Sequence, residues 1–444
     1  MKKYDAYRDS GIEWIGEIPS HWKVLPMRFL LRERITDGPH ETPKFLSDGV
    51  PFLSVDGIQD GELVFEGCRK ISQEDHEKYK QKCVVEKHDI LMGKAASVGK
   101  VAQVKVNFEF SIWSPLALLK PDLNKITSSY FEYFLKSNYA KYNANILSTF
   151  NTQQNISMTD IPRINYIIPN SLKEQTAITE YLDRKTAEID ELIADKKRLL
   201  ELYEEEKAAI INQAVTKGIN PDAPMKDSGI EWMEEIPEHW ELKKLKLLVS
   251  KIGSGVTPSG GSSVYQTSGI PLLRSQNIHF DGLKLDDVAY ISEEIDEGMS
   301  NSRIQENDVL LNITGASIGR CFYVPVGFGR GNVNQHVCIL RPIIEKIHVQ
   351  FLYYQMRSIV GQIQINLQQT GANREGLNFE QLKNFQIPYP ATIHEQVAIV
   401  NYLKSATALI DNKKSRTEKL IDLLTEYRTA LISEVVTGKI KVTE

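Results

Sequence analysis

The sequence predicts a mixed α/β protein: two globular α/β domains joined by two long antiparallel coiled-coil helices, with an internal pseudo-twofold repeat. Three observations predict it. The chain of 444 residues repeats itself once at a period of about 220. Short apolar runs bounded by turn residues fill the body of each repeat. Each repeat then ends in some forty residues with apolar positions at helical spacing.

The repeat frames everything else. DSGIEWIGEIPSHW at 9–22 returns as DSGIEWMEEIPEHW at 227–240, with eleven of fourteen positions identical. EQTAITEYL at 174–182 returns as EQVAIVNYL at 395–403, and AVTKGI at 214–219 is answered by VVTGKI at 435–440. Between these anchors the pattern persists while identity falls: GVPFLSVDGI (49–58) against GIPLLRSQNI (269–278), and HDILMGKAASVGK (88–100) against NDVLLNITGASIGR (307–320). A period this long is far above the 20–50 residues of a stacked solenoid unit, so the repeat is of whole domains. The resulting division is an N-terminal framework segment 1–22, a first globular block 23–170, a first helix 171–217, a linker with the repeated framework segment 218–240, a second block 241–390, and a second helix 391–444.

Within the blocks, PFLSV, KCVVE, DILMG, KVAQVKV and PLALLK, then PLLRS, DVLLNI, CFYVPV and HVCILRP, read as strands of a twisted, partly antiparallel sheet. SSYFEYFLKSNYAKYNANIL and VQFLYYQMRSIVGQI read as helices covering it. In the long helices, Leu182, Ile189, Leu192, Leu199, Tyr203 and Ile210, and then Leu403, Ile410, Leu420, Leu424 and Leu431, recur at three-, four- or seven-residue steps, with one step of ten from Ile410 to Leu420. Such a seam must be buried against something, and the other copy is the expected partner.

Composition is that of an ordinary globular protein, 41% hydrophobic and 25% charged. Net charge is −5, but counting residues places it unevenly: blocks 23–170 and 241–390 carry +2 and +1, while 171–219 and 220–240 carry −3 and −5. No apolar run follows the first lysines, and none is long enough to span a membrane. This points to a cytoplasmic protein. Cys68, Cys83, Cys321 and Cys338 lack metal-ligand spacing, so no metal site is expected. GKAASVGK is not a phosphate loop, because Gly99 lies six positions after Gly93 and Val101 follows Lys100. His40, His88 and His336 stand apart from one another, and the chain shows no catalytic constellation of its own.

Three loop types recur in both copies, and they carry the candidate contacts except for three in the GIPLLRSQNI segment (269–278). One is rich in Gly, Thr and Pro (36–44 and 253–261), one is a glycine turn (93–100 and 314–320), and one is rich in side-chain amides (148–155 and 368–375). Asn and Gln pair with adenine edges and Arg with guanine; Ser, Thr and Lys suit phosphates. The candidate DNA contacts are therefore Thr36, His40, Lys44, Lys94, Ser97, Lys100, Gln153 and Gln154 in the first block. In the second they are Thr257, Arg274, Gln276, Asn277, Thr314, Ser317, Arg320, Asn373 and Arg374.

The order of framework, variable block and helix, written twice, resembles the specificity subunit (HsdS) of type I restriction–modification systems. The residues that carry the resemblance are the GIEWIGEIPSHW and GIEWMEEIPEHW segments, GIPLLRSQNI, TGASIGR with NVNQHVCILRP after it, and EQTAITEYLDRKTAEIDELI with its second copy. The resemblance implies a non-catalytic subunit with two target-recognition domains, each reading half of a bipartite, asymmetric site in double-stranded DNA. It implies helices that set the gap and dock two modification (methyltransferase) subunits, with two restriction (nuclease and translocase) subunits completing the complex. S-adenosylmethionine, ATP and Mg2+ would belong to those partners, leaving this chain without a cofactor. The first copy departs from the typical TGASIGR turn with GKAASVGK. Two other readings stay open at this point: a protein–protein scaffold, and a self-contained DNA methyltransferase, whose Asn-Pro-Pro-aromatic motif is missing here.

Overall fold

The computed structural model describes residues 2–95, 97–150, 154–369 and 376–442. The chain forms two compact units, one of Met1–Lys197 with Glu418–Glu444, the other of Arg198–Thr417. Each long helix, Leu172–Thr216 and Ile393–Val436, therefore gives one half to each unit.

In the first unit a four-stranded antiparallel sheet runs in the order Val101–Gln103, Ile90–Gly93, Leu116–Leu119, Thr36–Asp37. A three-stranded sheet runs Ser111–Ile112, Val50–Leu53, Arg69–Ile71, its first pair parallel. The strands Ile90–Gly93 and Leu116–Leu119 are buried at every position, so their side chains feed two cores. Ile90, Met92, Ala117 and Leu119 join the core under the helices, while Leu91, Leu116 and Leu118 join Leu53 and Ile112 on the other side. This is the period of two expected of a strand covered on both faces. The second unit repeats the plan: Val249–Ser254, Val337–Pro342, Val309–Asn312 and Cys321–Tyr323 in one sheet, and Ala289–Ile291, Ile270–Leu273 and Asn332–Val333 in the other.

Two readings of the blocks need correction. KCVVE is not a strand; residues 83–86 follow the helix Gln73–Lys80 as irregular chain, and Cys83 donates its backbone N–H to Tyr79, closing that helix. Each long covering helix is two short ones, Ser128–Lys136 then Asn138–Ile146, and Val349–Arg357 then Ile359–Gln369. The break falls at Ser137 and Ser358, whose hydroxyls accept from Ala140 N–H and Val360 N–H at 3.2 Å. A serine that caps the next turn competes with continuing the previous one.

The structure explains why the framework motifs recur together. Trp22 and Trp240 are fully buried, and their indole N–H groups donate to Glu174 (3.1 Å) and Glu395 (2.9 Å) at the start of the long helices. His21 and His239 meet the same carboxylates at 3.1 and 3.0 Å. The next residues, Gln175 and Gln396, are wholly buried. Gln175 donates to the carbonyls of Lys125 and Pro169 and accepts from Thr127 N–H (3.1, 3.2 and 2.8 Å). Gln396 does the same with Lys346, Pro390 and His348 (3.0, 3.0 and 2.7 Å).

The helices pair antiparallel inside each unit. In the second, Glu204 and Lys207 meet Lys414 and Asp411, three residues up one helix for three down the other, with Lys207–Asp411 at 2.6 Å. In the first, Arg428 meets Asp190 at 2.8 Å, and Ile189, Ile193, Leu424 and Leu431 share one core. Of the residues expected in the seam, Leu182, Ile189, Leu403, Ile410 and Leu431 are buried, Leu182 and Leu403 within the cores of their domains, and Leu199, Tyr203, Ile210 and Leu424 are half-buried. The expectation fails for Leu192 and Leu420, both 39% exposed. Ile193, one step past Leu192, takes the inward place, and the second helix turns Thr417 and Leu424 inward instead. The far ends are held too. Tyr130 donates to the Val436 carbonyl (3.0 Å) in the first unit, and Gln355 to the Val215 carbonyl (2.9 Å) in the second.

Truncating Gln175 strips three backbone groups of their partner in a dry site. Gln175→Ala should destabilise the chain by about 2–4 kcal/mol, read as a lower urea midpoint followed by circular dichroism. Gln396→Ala should do the same to the second unit; an unchanged midpoint for both would show that the helix starts are held by other contacts.

Candidate nucleic-acid interface

In the first unit the described parts of the three loops meet at one end of the four-stranded sheet, and in the second the first two loops do, residues 370–375 of its third loop lying outside the described residues. In the first unit the strand Thr36–Asp37 passes directly into Gly38, where a Cβ would lie 1.8 Å from the Ile112 carbonyl oxygen. Only glycine lets the chain cross the parallel strand that closely. Asp37, buried, then joins the first loop to the second: Lys82 Nζ lies 2.6 Å and Lys94 Nζ 3.2 Å from its carboxylate, and His40 Nε2 lies 3.2 Å away. Burial works to raise the Asp37 pKa, but hydrogen bonds and charge from Lys82 and Lys94 outweigh it and leave it below the usual aspartate value. The third loop joins the second through the backbone: Ile156 N–H donates to the Lys94 carbonyl (2.9 Å), and Ala95 bridges to Asn155.

The candidates of this unit divide by environment. His40, Lys44 and Lys100 are exposed, Lys100 donating to the Ile58 carbonyl at 3.2 Å. Ser97 is half-buried in the turn, and Gln154 is bonded to Asn145 at 2.7 Å. Thr36 faces the Cys83 thiol (3.8 Å), and Lys94 is largely withdrawn onto Asp37, so both hold loops together. Gln153 lies outside the described residues.

The second unit gathers its loops in the same way. A Cβ on Gly255 would lie 1.6 Å from the Val333 carbonyl oxygen. Thr257 hydrogen-bonds Gln335, Thr314 Oγ1 lies 2.5 Å from His336 Nδ1, and Leu377 N–H donates to the Ile313 carbonyl at 2.8 Å. Ser317 accepts from Asn312 (3.1 Å), Gln276 donates to Asp287 (2.6 Å), and Arg274 donates to the Asp287 carbonyl (2.9 Å). Arg320 is half-buried at the end of the turn. Asn373 and Arg374 lie outside the described residues. Asn277 needs correction as a contact residue: it is 2% exposed, accepts from Arg274 N–H (2.9 Å) and donates to the Lys284 carbonyl (2.8 Å). An amide spent on backbone in the interior shapes the segment and leaves nothing to offer a base.

Sequence reasoning missed the segment that ties the loops together, 113–115 in one copy and 334–336 in the other. Lys94 N–H donates to Pro115 (2.9 Å), Ser114 N–H to Pro39 (3.2 Å), and Gly255 N–H to Asn334 (3.1 Å). His336, isolated in the sequence, sits at this junction; the aligned positions WSP and NQH differ so much that only their place after the parallel strand could have marked them. Chemistry at the described residues is sparse. The thiols of Cys83, Cys321 and Cys338 are pushed up to about 11, 12 and 12 by burial, so they are protonated and unreactive. The group His76, Glu77 and Glu109 has the spacing of metal ligands, yet Lys80 already pairs Glu109 at 2.8 Å and Ser111 bonds His76 at 2.8 Å. No helix among the described residues is long and apolar enough to cross a membrane.

The family model for the type I restriction modification DNA specificity domain matches residues 41–202 and again 237–421. The MjaX specificity subunit assigned to a type I restriction enzyme of Methanocaldococcus jannaschii is 27% identical over 442 residues, covering 96% of either chain. The EcoBI type I restriction enzyme specificity subunit of Escherichia coli is 26% identical over 355 residues, 75% of this chain and 72% of that one. Among solved structures, a chain from a type I R-M system superposes with a TM-score of 0.69 at 12% identity, covering 95% of this chain and 99% of the other. The HsdS subunit from Thermoanaerobacter tengcongensis gives 0.55 at 14% identity, covering 95% and 98%. Those two likenesses bear on fold alone, and the fold is the one built above. The chain belongs to the family of type I restriction modification DNA specificity domains and carries that domain twice.

Proposed function

We propose that each unit reads one half of a bipartite, asymmetric target in double-stranded DNA, and that the paired helices fix the gap between the halves. The chain acts as the non-catalytic specificity subunit of a type I restriction–modification complex. The observation that carries the two-reader proposal is the contrast between framework and loops. Trp22–Glu174 and Trp240–Glu395 repeat atom for atom, whereas the loops carry His40, Lys44 and Lys100 in one copy and Thr257, Ser317 and Arg320 in the other. Identical mountings holding different polar loops serve two different base sequences. Lys, Thr and Ser suit the phosphates, and Gln276, Gln154 and Arg320, with Gln153, Asn373 and Arg374, suit base edges. Half-site separation follows reader separation, which calls for a stiff spacer of the kind a helix pair provides.

The partners in this reading are two modification subunits docked along the helices and two restriction subunits beyond them, all in the cytoplasm. S-adenosylmethionine, ATP and Mg2+ sit on those partners; this chain contributes recognition only. The primary test maps methylated adenines across the genome of cells carrying this chain and its modification subunit. The expected result is one motif with two short specific halves at a fixed gap; a single uninterrupted motif would overturn the two-reader proposal.

Three variants sharpen it. Replacing residues 241–390 with the corresponding block of a relative should change one half of the methylated motif and leave the other intact. Gly255→Ala forces a Cβ onto the Val333 carbonyl, so it should abolish methylation by displacing the first loop of the second unit, while Lys3→Ala, remote from every loop described, leaves it unchanged. Inserting four residues after Leu199 adds about 6 Å of helix and should lengthen the gap by one or two base pairs; an unchanged gap counts against the helices as spacer.

A further inference from the structure

The first unit contains a groove of about 940 Å³ between the covering helices of its domain and its halves of the two long helices. Its floor is apolar, with Val98, Ile193 and Ile432, and its walls are basic. Lys100 comes from the glycine turn, Lys136 and Lys141 from the short helices, and Lys197 and Arg428 from the long ones. Arg428 pairs Asp190 at 2.8 Å and Lys136 pairs Glu132 at 2.8 Å. Among the described residues no carboxylate lies within ion-pair distance of Lys100, Lys141 or Lys197, and the only acids lining the groove are Asp60 and Asp190. Burial, then the charges of Arg428 and Lys136, lower the Lys141 pKa, as happens where cations crowd without enough counter-charge.

Part of the matching place in the second unit holds a much smaller void. That void is about 80 Å³, lined by residues that include Glu204, Lys207, Asn212 and Arg357. Gln362 stands where the first copy has Lys141, and its amide is spent on the carbonyls of Gly319 (3.0 Å) and Met356 (2.8 Å). Arg357 is tied to the Phe280 carbonyl (2.8 Å) and Lys207 to Asp411 (2.6 Å). The framework that both copies share therefore does not require an open basic groove. The first copy has one because its variable residues put lysines there.

We propose that this groove binds the sugar–phosphate backbone of DNA beside the first half-site, through Lys100, Lys141 and Lys197, without reading bases, and that the second unit has no such grip. The groove begins at the glycine turn, which carries candidate contacts, and ends at the long helices. A duplex held by the turn meets the groove as it leaves the half-site. The proposal rests on the DNA-reading role argued above, and its test separates the two.

The test uses the complex of this chain with its modification subunits, and two duplexes: one carrying the mapped target and one with the target scrambled. Affinity is measured against salt for the wild type, for Lys141→Gln/Lys197→Gln, and for Lys141→Arg/Lys197→Arg. Each phosphate contact contributes about 0.9 to the slope of log affinity against log salt. The glutamine pair should lower the slope by roughly 1.8 on both duplexes alike, leave the methylated motif unchanged, and remove hydroxyl-radical protection flanking the first half-site only. The arginine pair should keep the wild-type slope, which rules out a folding defect as the cause. An unchanged slope in the glutamine pair, with the wild type still preferring its target, overturns the groove and leaves the DNA-reading role standing. A wild type that binds both duplexes equally overturns that role, while a slope lowered by the glutamine pair still upholds the groove.

Discussion

The pair of hydrogen bonds from a buried tryptophan and histidine to the first glutamate of each long helix is the contact on which the architecture depends. Trp22 and His21 on Glu174, and Trp240 and His239 on Glu395, join the framework segment to the helix start. The adjacent glutamine, Gln175 or Gln396, ties that helix start to the last strand and to the chain before the covering helices. Three separate parts of each repeat thus meet at one dipeptide, and the direction in which each helix leaves its domain is set there. A carboxylate in the first turn also suits the helix dipole, so the residue that fixes direction favours helix initiation as well.

From that anchor the helix runs first over its own domain and then beside the other helix. Tyr133 bonds Asp183 and Thr186 in this first stretch, so Leu182 packs as part of the domain core before the seam with the second helix begins. The seam is polar in places, with Thr417 buried, and its ion pairs fix register as well as attraction. Leu409 and Leu423 meanwhile remain 60% exposed, a face that the docked modification subunits of the proposed complex would cover.

Burial divides the candidate contact residues into two groups. Residues that hold loops to one another, such as Asp37, Lys94, Asn277 and His336, are withdrawn or bonded to backbone and neighbours. Residues free to meet a partner, such as Lys44 and Lys100, lie at the rim. The two glycines Gly38 and Gly255 belong to the support: each lets a loop cross a carbonyl at a distance no side chain permits. Such a crossing leaves the loop beyond it free to vary without disturbing the sheets.

By itself the sequence determined the doubling, the mixed α/β class, the long helices and the three loop families, because each is written in local terms: identity at a fixed offset, apolar runs, helical spacing, turn residues. It also placed much of the family resemblance on the GIEW segments and helix starts that meet at Glu174 and Glu395. Tertiary structure decided what local pattern cannot hold. Residues 82–86 look like a strand but follow a helix end; Leu192 has seam spacing but loses the inward position to Ile193; Asn277 looks like a base contact but is consumed inside. Gly38 comes beside Ile112 and Gly255 beside Val333, far apart in sequence, because the strands that lead into these glycines pair antiparallel with Leu116–Leu119 and Val337–Pro342. Pairing between strands so far apart in sequence leaves no short-range signature, and so the junctions between the loops appear only in the folded chain.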